Sequence, residues 1–183
     1  MLTEADFMAA LHGYISQVTG LDEALIFRGQ QSRMVLPKKG AYCIYTPIIR
    51  QRRGTNLYRF DAVEKPDNKN GVDSLTALVL IDVQVDFYDV DADKNAQALE
   101  IASRSYIGTD YFKRRQKPVD VRVVTSQAPR NLTGIDTSNQ YETRWSVTIT
   151  AEINSVFSQD LPWFEDVKWN KFVNVDAEFP PTE

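Results

Sequence analysis

The sequence predicts an α+β fold, a mixed and mainly antiparallel sheet with two main helices packed on one face. Three observations lead there. Tyr141 to Ile153 alternates strictly between apolar and polar side chains, the pattern of a strand with one buried face. Phe7, Met8, Leu11, Tyr14, Ile15 and Val18 recur at helical spacing, so one side of that helix must be covered. Leu75 to Tyr88 begins apolar on both faces and ends alternating. Its first end is expected to be buried and its second to be one-sided, with helices on one face and a neighbouring subunit on the other.

The elements follow in order. Thr3 is placed to cap the first helix, with Asp6 three residues on as a variant of the capping box, and Gly20 ends it. Ala24–Arg28 reads as a strand, and Gly29–Gly40 as a polar loop around Pro37. Ala41–Arg50 and Leu57–Val63 read as two strands joined by a hairpin turn at Arg52–Thr55. Lys65–Gly71 is rich in turn residues and leads into the long strand. The second helix is expected from Asp91 to Ile107, with Ala92, Ala96, Leu99, Ala102 and Tyr106 on one stripe. A short turn, Thr109–Arg115, extends it past Gly108, and Pro118 stops it. A strand at Val119–Val123 and a polar loop at Pro129–Asn139 precede the alternating strand. That last strand exceeds the usual length of about 5–6 residues, so it should project beyond the domain or bend at a bulge. Nothing resembles a linker or repeat. Residues 1–159 are expected to form a single domain, and 160–183 an aromatic C-terminal segment (Trp163, Phe164, Trp169, Phe172) strapped to the surface.

Composition narrows the function. The formal net charge is −4 and the pI about 5.1, which disfavours a protein that grips nucleic acid by its phosphates. No apolar run reaches the length of a membrane span, and the acidic start lacks the features of a secretory signal. The single cysteine, Cys43, lies in an apolar run and fits a buried, inert thiol in a reducing compartment. The only histidine, His12, lies off the apolar stripe of its helix and reads as a surface residue. Two basic clusters, Arg50–Arg53 and Lys113–Lys117, suit either solvated turns or contact with an acidic partner.

Acidic groups offer two sites for metal. Asp89, Asp91, Asp93 and Glu100 match part of a calcium-loop register, but Lys94 stands where such a loop needs glycine. Capping of the following helix is the simpler expectation. Asp82, Gln84 and Asp86 share one face of a strand, as Mg²⁺ ligands can, without an obvious further ligand. No catalytic motif, cofactor motif or phosphate loop is present, so neither an enzyme nor a cofactor is expected.

Several segments follow one another in a distinctive order: Ala24-Leu-Ile-Phe-Arg28-Gly-Gln30-Gln31, the tyrosine-rich Ala41–Tyr45, Val83-Gln-Val-Asp86-Phe-Tyr88, Ala96–Ala102, Pro129–Leu132 and Tyr141–Val147 with Arg144. From about Thr3 to Ile153 this order resembles the tail-terminator or neck proteins of long-tailed bacteriophages. The resemblance implies a structural virion protein, made in the host bacterial cytoplasm, that forms a homo-hexameric ring in the tail or neck. Such a ring caps the tail tube, stops its growth and docks to a head-tail connector or head-completion protein. Arg28, Gln30, Gln31, Arg50, Arg52, Arg53 and Arg144 are the expected protein-interface residues. The residues read alone agree: overlong strands supply edges for neighbours, and an acidic channel lets DNA pass without specific binding. Two rival functions stay open. One is a related ring protein of the connector or tail tube; the other is a metal-dependent nuclease using Asp82, Asp86 and Asp89.

Overall fold

A computed structural model describes residues 4–31, 35–37, 39–62, 70–114, 121–135 and 141–162. In chain order the elements are α1 (Glu4–Thr19), a 3-10 turn (Glu23–Leu25), β1 (Ile26–Arg28), β2 (Tyr42–Ala62), β3 (Asn70–Tyr88), α2 (Ala92–Ser103), α3 (Tyr106–Lys113), β4 (Val121–Ser126), β5 (Arg130–Asn131), β6 (Gly134–Ile135), β7 (Tyr141–Glu142) and β8 (Arg144–Pro162). The main sheet runs β1-β2-β3-β8-β4, with β5 also on β8; β6 and β7 form a separate small hairpin. Among the described residues only β1 and β2 pair in parallel. This is the α+β fold the sequence predicts, with a mixed, mainly antiparallel sheet.

The core lies on one face. Alternation puts Val79, Ile81, Val83, Val85 and Phe87 of β3 beside Ile153, Ala151, Ile149, Val147 and Trp145 of β8. All but the half-buried Trp145 are buried. The helices cover this row. Ala92, Ala96 and Leu99 of α2 lie against it, and small alanines let the helix approach closely. Phe7 and Tyr14 of α1 meet Phe112 of α3 with ring centroids 5.7 and 5.4 Å apart. Gly20 has φ +74° and its N–H donates to the Ser16 carbonyl at 2.8 Å, the expected glycine stop of α1.

Several expectations change. The segment around Gly54 is not a hairpin: β2 continues through it, paired with β3 on both sides. Between Arg53 and Leu57 the register shifts, and Gly54 takes φ +76° within the bulge. Turn-forming residues here bend a strand whose partner keeps running. The second helix breaks at Arg104–Ser105, before Gly108, and the Ser105 hydroxyl caps α3 by accepting the Ile107 N–H. Gly108 lies buried inside α3, where a Cβ would stand 3.3 Å from the Tyr14 hydroxyl; its smallness serves close packing. The alternation from Tyr141 splits between the exposed β7 and the core strand β8. Thr3, Pro118, the start of the Val119 strand and the aromatic residues from Trp163 onward lie outside the described residues.

The first half of β3 also departs from expectation. The doubly apolar end is not the buried one, because residues 72–78 are all half-exposed. The buried apolar row stops at Val79 and Ile153. Beyond it β2, β3 and β8 continue as a three-stranded arm. Its β8 portion, residues 154–162, spans about 30 Å at the usual rise per residue.

Body and arm therefore predict different mutational costs. Leu99→Ala, in the body, should destabilise the subunit by about 2–5 kcal/mol. Leu57→Ala, in the arm, should change it by less than about 0.5 kcal/mol. Urea unfolding of dilute protein measures both, and equal costs would contradict this division.

Candidate functional site

Two surfaces stand out: the arm, and the sheet face opposite the helices. On that opposite face the residues are polar by alternation. Asp86 is buried and accepts from Arg144 Nη2 at 2.8 Å and from Gln84 Nε2 at 3.0 and 3.1 Å. The Arg144 guanidinium lies 5.6 Å from the centre of the Tyr88 ring, which stacks on Tyr42 at 4.5 Å. The Tyr42 hydroxyl donates to Glu142 Oε1 at 3.1 Å. Burial acts to lower the Arg144 pKa, but the hydrogen bond and charge of Asp86 outweigh it and hold the guanidinium more firmly protonated than usual. Arg144 thus anchors the start of β8 to β3. Its Nε is buried with no acceptor among the described residues.

The carboxylates of the metal readings do not converge. Asp82 accepts from the Thr150 hydroxyl at 2.7 Å, Asp86 from Arg144 and Gln84, and Asp89 from the Gly40 N–H at 2.6 Å. Among the described residues no group of three or more His, Cys, Asp or Glu side chains could hold a metal ion. The capping expectation also needs correction. Asp91 occupies the N-cap of α2 with a left-handed backbone, φ +57°, and its side chain makes no capping bond. Asp89 instead ties the loop before β2 to the β3–α2 turn, and Asp93 supplies negative charge in the first helical turn. His12 is half-buried, edge-on to Tyr45 at 5.9 Å. Cys43 is buried, and loss of hydration pushes its thiol pKa well up.

The arm exposes large apolar side chains on both faces, interleaved with polar ones. Tyr58, Leu75 and Phe157 stand in register across its three strands on the helix side. Tyr58 and Phe157 are 59% and 50% exposed. On the other face Leu57, Thr76 and Val156 form a row, with Leu57 67% exposed. Phe60 lays its ring over Gly71, where a Cβ would come within 2.3 Å of it. The Tyr58 hydroxyl donates to Asp73, and Arg59 pairs with Asp61 at 2.9 Å. Among the described residues β1 pairs with β2 only at 43–45, and β4 and β5 pair with β8 only at 145–153. Among the described residues both long edges of the arm lack a pairing strand.

The expected interface residues divide between these surfaces. Arg28, Gln30 and Gln31 lie at the end of β1, where the Gly29 N–H donates to the Tyr45 carbonyl at 2.8 Å. Arg50, Arg52 and Arg53 lie farther along β2 and are exposed. The register puts Arg50 and Arg52 on the helix side and Arg53 on the other. These six share one edge of the sheet. Arg144 is separate, half-buried on Asp86. Of the second basic cluster, Lys113 and Arg114 are exposed at the end of α3, and the rest lies outside the described residues. The sequence reading expected the last strand to project, but not the exposed apolar side chains Leu57, Tyr58, Phe60 and Phe157 on the arm. The signal for the arm was the doubly apolar start of β3.

Residues 5–179 match a family model described as phage neck terminator protein. No curated protein matches the chain.

The tyrosines give a pH prediction. Burial raises the phenol pKa of Tyr14, Tyr45, Tyr88 and Tyr42, the last helped by the Glu142 carboxylate. Above about pH 10, the ordinary phenol value, the unfolded chain releases protons that the folded chain keeps. Stability should be unaffected below that value and fall as pH rises through the raised pKa values. Tyr42→Phe should make the fall shallower in urea titrations from pH 8 to 12. An unchanged slope would place Tyr42 outside the coupling.

Proposed function

Because the chain belongs to the family of phage neck terminator proteins, structural components of the tail and neck, we infer that its subunits close into a ring. The ring caps the tail tube, ends its growth and offers a docking surface to the head-completion side. The supporting observation is the three-stranded arm, with Leu57, Tyr58, Phe60 and Phe157 exposed and, among the described residues, two edges without a pairing strand. A lone subunit leaves these groups to solvent, and a chain with such edges is prone to indefinite pairing. A repeated head-to-tail contact that closes on itself uses every edge and leaves none to propagate. Six subunits match the ring expected of a terminator. In that ring the polar sheet face carrying Asp82, Gln84 and Glu152 lines the channel or packs on the next subunit, and its acidic character lets DNA pass without specific binding. No described helix is long and apolar enough to cross a membrane.

Native mass measurement over a concentration series tests this. The expected result is monomer when dilute and one discrete species of six when concentrated. Open filaments of increasing length would point to a tube subunit. In infected cells, loss of the protein should leave heads unattached to tails and tails of uneven length, seen by electron microscopy.

A further inference from the structure

We propose that the exposed stretch Ile48–Arg53 of β2 is a docking surface for a second copy of this chain, and that the group it receives is the acidic turn Asp89–Asp93 between β3 and α2. This contact rests on the ring reading above.

Two register shifts shape the β2 surface, one between Pro47 and Ile49 and one between Arg53 and Leu57. Ile48 is skipped in the pairing with β3, and the consecutive side chains Ile48 and Ile49 are 50% and 52% exposed. In a regular one-sided strand one of the two would point to the core. Arg50, Arg52 and Arg53 follow and are also exposed, so the stretch carries three arginines, two isoleucines and no acid.

The turn is its chemical counterpart. It carries three aspartates and no base, and all three are exposed. Val90 between them is 62% exposed. The Asp91 carboxylate makes no capping bond with α2, so the helix does not account for it.

The two patches lie far apart in one subunit. Tyr88, just before the turn, pairs with Tyr42, whereas Arg52 pairs with Val79. From Tyr88 to Val79 the strand rises about 30 Å. Opposite charges on two separate patches make a heterologous contact, in which each copy gives its turn to one neighbour and its arginines to the other. Arginine forks hold the carboxylates through paired hydrogen bonds, and Val90 meets Ile48 and Ile49. This match of charge and apolar character within one chain favours a second copy over an unrelated acidic protein.

The test is charge reversal in the full chain, read by native mass over a concentration series. One variant carries Arg52→Glu and Arg53→Glu, the other Asp91→Lys and Asp93→Lys. Each alone should assemble roughly tenfold more weakly or worse, because like charges then face each other. Mixed in equal amounts, the two should restore the discrete oligomer with variants alternating, since every contact again joins unlike charges. Asp91→Asn with Asp93→Asn keeps a residue suited to the left-handed backbone at 91 and should weaken assembly while the melting temperature holds within a few degrees. Full assembly of either reversed variant alone overturns the docking and leaves the ring standing. A mixture of folded variants that stays unassembled also overturns the docking. Absence of any oligomer of the unaltered chain at every concentration overturns both readings.

Discussion

The pairing of β3 with β8 is the interaction on which the rest depends. Nineteen residues of each strand run antiparallel in one register, without a shift, from the Tyr88–Arg144 pair to the Asn70–Pro162 pair. A slip of one residue would turn Ile81, Val83, Val85, Ile149 and Ala151 away from the helices and expose the core. The register is held at its body end by Arg144 on Asp86, a charged pair whose cost of misplacement is high because Asp86 is buried. β8 lies between β3 and β4 and joins β4 to the sheet.

The same continuous register produces the arm. Strands that serve only a core could end where the helices end, near Val79 and Ile153. Here they run on, and carry tyrosine, leucine and phenylalanine into solvent. Cross-strand contacts such as Phe60 over Gly71 and Tyr58 to Asp73 hold the arm together without a covering layer. A structure of this kind makes physical sense as half of an interface. For a protein of the phage neck, the proposed ring supplies the other half.

Much of this was legible in the sequence. Helical spacing located α1, strict alternation located the core face of β8, and the order of short motifs around Arg28, Asp86 and Arg144 pointed to the family that the match over residues 5–179 shows. The errors share one physical cause. Local chemistry reports what a segment can do alone, whereas pairing partners decide what it does. Gly54 permits a turn, yet a continuous β3 makes it a bulge. Asp91 favours a cap, yet a left-handed backbone leaves its side chain without one. The doubly apolar start of β3 was read as buried within the subunit. Apolar character signals a tendency to be covered, and within the described subunit nothing covers residues 72–78 fully.

Amide hydrogen exchange on β2 tests the central claim, that the arm is an interface left open in the single subunit. Residues 50–62 have outward N–H groups with no strand beside them among the described residues. Those amides should exchange rapidly in dilute monomer and become strongly protected in the assembled neck, while amides of Ile81 to Val85 stay protected in both. Equal exchange of residues 50–62 in the two states would contradict the account.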